Sequence, residues 1–171
     1  METRNAELTG GYCKLRKQEG FSLIELLIVV AIILIIAAIA IPNLLRARIA
    51  ANEASAVASI RTINTAEISY NSTYPTVGFG SLANLAGSTC GPPNSSSACL
   101  IDTTLASGTK SGYSFHAVPS GSNPAGTYAA WANPITANQT GNRSFCSVAD
   151  AVVRFSTASL STCAGTESPL Q

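Results

Sequence analysis

The sequence predicts an α+β protein in which one long N-terminal helix, half apolar and half amphipathic, packs on a small antiparallel sheet. Three observations predict it. Residues 21–41, FSLIELLIVVAIILIIAAIAI, hold only Ser22 and Glu25 as polar members. Residues 43–70 have helix-compatible composition with apolar side chains at helical intervals. After Gly112 come short segments that alternate apolar and polar residues, separated by Gly, Pro and Asn clusters.

Composition narrows the function classes. The 171 residues are 46% hydrophobic but only 11% charged, with a net charge of +1. That length allows one ordinary domain and hardly two. A non-specific nucleic-acid binder needs a surplus of Lys and Arg that is absent here, so no direct nucleic-acid site is evident. The single histidine, His116, removes chemistry built on imidazole clusters. A mean hydropathy of +0.26 is high for a soluble domain, and the excess lies in residues 21–41.

As a helix, residues 21–41 would span about 31 Å, enough to cross a hydrocarbon core of about 30 Å. Lys14, Arg16 and Lys17 stand just before this run. A basic cluster there keeps the N-terminal end in the cytoplasm and exports the rest. Cysteine placement agrees: Cys13 lies before the span, and Cys90, Cys99, Cys146 and Cys163 lie beyond it. An even number on the exported side suits an oxidising compartment.

Two simpler readings compete for this segment. One is a secretory signal peptide cut near Ala38-Ile39-Ala40, but the apolar run exceeds the usual 7–15 residues. The other is an uncleaved anchor holding a monomeric binding domain in the membrane. Neither explains Glu25. A carboxylate inside a span costs a few kcal/mol and is rarely kept without a role. Its bland explanation is snorkelling, since it lies one turn from the boundary.

The string Gly20-Phe21-Ser22-Leu23-Ile24-Glu25, within KQEGFSLIELLIVVAIILIIAAIAIPNLLRAR, decides between them. It resembles the N-terminal signature of type IV pilins and the related pseudopilins of type II secretion: a basic leader ending in glycine, then Phe-[Ser/Thr]-Leu-Ile-Glu and an apolar helix. The resemblance covers about 35 residues closely. It implies that a prepilin peptidase cuts between Gly20 and Phe21 and methylates the new Phe21 amine. It also implies that Glu25 meets the Phe21 amine of a neighbouring copy in a filament core. The partners it implies are copies of this chain, the peptidase, an inner-membrane assembly platform and, before assembly, the lipid bilayer. No cofactor is implied. Gly10-Gly11 is another small pair, but no apolar run follows it.

Beyond the span, Pro42 interrupts the hydrogen-bond ladder and predicts a kink. Residues 42–70 read as an amphipathic spine with a buried face at Ile49, Ala56, Val57, Ile60, Ile63 and Ile68. Arg46, Arg48, Glu53, Arg61 and Glu67 lie in the same segment. Asn71, Thr73 and Tyr74-Pro75 supply stop signals. A helix that is half membrane span and half domain spine is what the resemblance implies. Some of these proteins unwind at a glycine in the apolar half, which this sequence lacks.

Residues 71–111 turn to Ser, Gly, Asn, Thr and Pro, with Gly91-Pro92-Pro93-Asn94 a loop by every local rule. Residues 100–105 form a short turn of helix or strand. In residues 112–171 four strands are expected, around Tyr113–Val118, Tyr128–Trp131, Ser144–Val148 and Ala151–Phe155, as an antiparallel meander. Its inner face would rest on the amphipathic helix, making residues 42–171 one globular head. His116 fits a half-buried strand position better than a catalytic base.

The four exported cysteines allow three connectivities. Proximity in sequence favours Cys90–Cys99 and Cys146–Cys163, the second tying the tail back to the sheet. No Gly-rich phosphate loop, G-x-S-x-G elbow or H-E-x-x-H motif occurs, and no enzyme activity is expected. No metal site is expected either. Some pseudopilins hold calcium through loop carboxylates, and only Asp150 could start such a site. The Asn-x-Ser/Thr triplets at Asn71, Asn94, Asn138 and Asn142 read as chance in so Ser- and Asn-rich a chain.

The leading functional expectation is a structural subunit of a type IV pilus. The alternative is a pseudopilin of a type II secretion system. The Asp-Pro-Trp-Gly-type string of the major pseudopilins is missing here, and Trp131 stands in Ala-Ala-Trp-Ala-Asn-Pro. Localisation follows: a single-pass bacterial inner-membrane protein before assembly, then a surface pilus or periplasmic pseudopilus. Cleavage at Gly20 would remove four basic and three acidic residues, leaving six of each.

Overall fold

A computed structural model describes residues 20–87, 92–122 and 124–170. It divides into two compact units, one ending at Ala40 and the other running from Ile41 onward. Helix α1, Leu23–Thr73, contributes to both, with Pro42 inside it. The leader, with Cys13, lies outside the described residues apart from Gly20.

In the second unit α1 is followed by two single-turn helices, α2 (Leu82–Leu85) and α3 (Thr103–Ala106). Six strands follow: β1 (Thr109–Lys110), β2 (Tyr113–Ser120), β3 (Thr127–Pro134), β4 (Ser144–Val148), β5 (Arg154–Ser156) and β6 (Ser168–Pro169). They form one antiparallel meander in chain order. This is the expected α+β arrangement, with four strands extended to six. Two-residue strands are too short to show alternation, so β1 and β6 were invisible to periodicity.

The sheet's inner face alternates as the sequence predicts. Tyr113, Phe115 and Ala117 of β2 are buried, as are Tyr128, Ala130 and Ala132 of β3 and Phe145 of β4. They pack in one core with Ala56, Val57, Ile60, Ile63, Ala66 and Tyr70 of α1. Alanines fill the middle of this face, where Ala117 pairs with Ala130 and Phe115 with Ala132. Small side chains there leave room for a helix against the sheet, and the larger rings close the core around it.

Several expectations change. Helix α1 ends at Thr73 and not at Tyr70. The Ser72 and Thr73 hydroxyls donate to the Ile68 and Ser69 carbonyls one turn back, so both polar residues fit the last turn. Ile68 is exposed, while Glu53, Asn64 and Glu67 occupy the buried face. Helical spacing sets which positions point inward but not whether a carboxylate there finds donors. The segment 71–111 carries α2 and α3, capped by Ser81 and Asp102. Strand β5 starts at Arg154, because Ala151 adopts a left-handed φ of 58° and its N–H closes a turn onto the Val148 carbonyl. His116 lies on the exposed sheet face, stacked on Trp131 at 5.1 Å between ring centroids.

A disulfide joins Cys146 of β4 to Cys163 in the C-terminal loop. Asn133 helps hold that loop: its side chain donates to the Leu160 carbonyl and accepts from the Leu160 N–H. Together they cover the outer face of β4, leaving Cys146 fully buried. Cys99 is also disulfide-bonded, and Cys90 lies outside the described residues. Replacing Cys146 and Cys163 by serine should cost about 3 kcal/mol, from loop-closure entropy alone. Thermal denaturation of the full chain in detergent, with and without reductant, measures it. Without reductant the double variant should be less stable than the parent by that amount, and reduction should cost the parent more than it costs the variant, which keeps only the Cys99 disulfide to lose.

Candidate functional site in the N-terminal helix

The site begins at the Gly20–Phe21 bond. Gly20 and Phe21 lie ahead of α1 and are exposed, Phe21 by 77%. Among the described residues, chain neighbours aside, no atom lies within 4 Å of where a Gly20 side chain would stand, so their packing does not require glycine there.

Ser22 is the residue that caps α1. Its N–H donates to Glu25 Oε2 at 3.0 Å, and its carbonyl accepts the Leu26 N–H. A carboxylate at the third helical position reaching back to the N-cap amide is half of a capping box. Glu25 therefore has a local role in this single chain, which the sequence reading missed although Ser22-x-x-Glu25 has the capping-box spacing. One carboxylate oxygen is used; among the described residues Oε1 has no hydrogen bond. From Phe21 to Leu45, Glu25 is the sole charged residue.

The apolar half of α1 is long and hydrophobic enough to cross a membrane, and none of it is buried within the chain. Leu23, Ile24, Leu26 and Leu27 are each more than half exposed, and exposure continues through Ile41 with only Ala37 partly covered. Burying these side chains in lipid or against other copies would gain about 1.5–3 kcal/mol each. Pro42 has no N–H for the Ala38 carbonyl one turn back, which leaves one gap in the ladder.

In the head, polar residues serve packing. Glu53 Oε1 accepts the Asn142 and Arg143 backbone N–H groups at 2.9 and 3.2 Å. Its Oε2 accepts Arg143 Nε and Nη2 at 2.9 and 2.7 Å. The Arg143 guanidinium lies 5.5 Å from the centre of the Phe145 ring and 5.6 Å from that of Phe155. Asn64 donates to Ser147 Oγ and the Ala151 carbonyl and accepts the Tyr128 hydroxyl. None of these residues was singled out as a tertiary anchor by sequence, because their partners are more than sixty positions away.

The remaining candidates are engaged. Asp150, the one calcium candidate, holds Arg154 and the Val152 N–H, and the Arg154 guanidinium keeps its carboxyl below the usual range. Cys146, Cys163 and Glu167 lie close together, but both sulfurs are spent in the disulfide and are lost as metal ligands. Asp102 caps α3 and pairs with Lys110 at 3.2 Å.

Comparison with known proteins falls on the same segment. Residues 15–41 match the model of the prokaryotic N-terminal methylation motif. A type IV wide pilus major component of Thermus thermophilus is 64% identical over 39 residues, covering 23% of this chain and 30% of that protein. Type II secretion system core protein G of Vibrio cholerae is 41% identical over 70 residues, 39% of this chain and 48% of that one. The chain thus spans less than half the length of either relative. No solved structure matches it significantly. With the methylation motif at residues 15–41, the capped apolar helix behind it and an antiparallel sheet on the helix's second half, the chain is similar in its N-terminal segment to type IV pilins and type II secretion pseudopilins.

Proposed function

We propose that the chain is a structural subunit of a type IV pilus. A prepilin peptidase cuts between Gly20 and Phe21 and methylates the Phe21 amine, and an inner-membrane assembly platform then builds copies into a filament through α1. The observation that carries this reading is Glu25, one charge in an otherwise uncharged 25-residue stretch that starts at the cut. Cleavage creates an amine one turn away from it. In a packed core the carboxylate of one copy pairs with the amine of another, and any other axial register leaves a charge unpaired. No packing among the described residues asks for a glycine at position 20, which supports an external reason for it, namely passage through a peptidase site. Pro42 is the proposed point where α1 bends or unwinds on assembly. Before assembly the chain is a single-pass inner-membrane protein with its N-terminus cytoplasmic.

The second reading is a pseudopilin of a type II secretion system. The 70-residue similarity to core protein G, longer than the 39-residue one to the pilus component, favours it. Both readings share the cut, the methylation and the polymerising helix. Electron microscopy of sheared surface fibres with mass spectrometry of their subunit tests them. Fibres whose subunit begins at methylated Phe21 are expected. The same mature N-terminus in a chain found only in the periplasmic fraction would favour the second reading. An uncut N-terminus would overturn both.

A further inference from the structure

Glu67 is the one fully buried carboxylate among the described residues, and nothing in filament assembly by α1 uses it. Its Oε2 accepts the Gly80 N–H at 2.9 Å, while Oε1 is buried with no hydrogen-bond partner. No described cation contacts it. The segment Tyr74–Gly80 returns from the end of α1 and closes over this carboxylate. It is tied to the sheet side by Phe79 N–H to the Ala125 carbonyl and Ala125 N–H to the Val77 carbonyl. Phe79 packs on Tyr128 at 4.9 Å, and Tyr74 on Tyr70 at 5.0 Å. Gly78 keeps a φ of 84°, and a β-carbon there would collide with the Ala125 backbone, so this crossing needs glycine.

We propose that Glu67 is a proton-operated latch: as a neutral acid it holds the segment Tyr74–Gly80 against α1, and on losing its proton it favours release of that segment to water. The titratable groups facing it are Tyr70 from its own helix and Tyr128 from β3, with Tyr74 behind Tyr70; the Asp150 carboxylate, which also acts on Tyr128, is paired with Arg154. Burial pushes the Tyr70 and Tyr128 hydroxyls above the usual tyrosine range and Asp150 is paired with Arg154, so none of these supplies a positive charge to compensate an ionised Glu67. Burial raises the Glu67 carboxyl to about 7, against the smaller opposing effect of the Gly80 N–H. Once exposed, the same carboxyl returns to about 4.5. Between those two values the closed form holds a proton that the open form has lost, so rising pH favours opening. Above about 7 both forms are ionised and the dependence levels off.

The direct probe is amide hydrogen exchange of the full chain in detergent micelles, corrected for intrinsic rates, from pH 5 to 8.5. The Gly80 amide should lose protection about tenfold per pH unit up to about pH 7, then level off. The Ile135 amide, bonded to Gly112 across the sheet, should stay flat. Glu67→Gln keeps an acceptor for Gly80 and no ionisable group, so its Gly80 protection should not change with pH. Carboxyl-carbon NMR titration of Glu67 in the parent supplies an independent midpoint, expected near 7. A midpoint near 4.5, a pH-independent Gly80 amide, or an equal loss at Ile135 would each overturn the latch.

Discussion

Glu25→Ala should abolish filament formation while leaving cleavage at Gly20–Phe21 and membrane insertion at parental levels. Two roles for Glu25 compete, and they differ in size. As a helix cap its carboxylate contributes about 1 kcal/mol within one chain. As the partner of a neighbour's Phe21 amine it prevents an unpaired charge in an apolar core, a penalty of about 3–5 kcal/mol repeated at every subunit. Glu25→Gln separates them, because glutamine can still accept the Ser22 N–H but carries no charge. We expect Glu25→Gln to fail in assembly as Glu25→Ala does. Fibre yield by electron microscopy, with mass spectrometry of the membrane-bound subunit, reads both effects. Normal fibres from the glutamine variant would reduce Glu25 to a cap.

The second large effect is expected at Glu53. Glu53→Ala removes the acceptor for two backbone N–H groups and for the Arg143 fork, leaving the turn before β4 without its tie to α1. Breaking a buried pair costs about 3–5 kcal/mol, and the lower end applies because the Arg143 side chain is 41% exposed. Chemical denaturation of the full chain in detergent should show a loss of about 3 kcal/mol. Arg143→Ala should cost less, since Glu53 keeps the two backbone donors. A double-mutant cycle isolates the ion pair, and a coupling near zero would show that the backbone contacts carry the effect.

The apolar span, the helical spine and the central strands were legible because each rests on a period or a run within one element. Alternation in Tyr113–Val118 placed Tyr113, Phe115 and Ala117 inward, and they are inward. The same reasoning failed for Ile68, which a helical wheel puts near the buried face but which the head leaves uncovered. It was silent on β1 and β6, whose two residues pair by position and not by pattern. At the candidate site the sequence carried the Gly20–Phe21 motif and the isolated charge of Glu25. It also carried the Ser22-x-x-Glu25 cap, which the larger motif obscured.

The sequence alone determined a chain with one membrane-length apolar helix, a Gly20-Phe21 motif ahead of it and a single charge near its start. These features are local, set by composition and spacing within some thirty residues. Tertiary structure decided what the acidic residues of the spine do. Glu53 and Glu67 are alike in sequence, both on the inward face of α1, yet one meets a guanidinium and two amides and the other a single amide. A buried carboxylate is governed by the donors that distant chain segments bring to it, and those appear only once helix and sheet have packed.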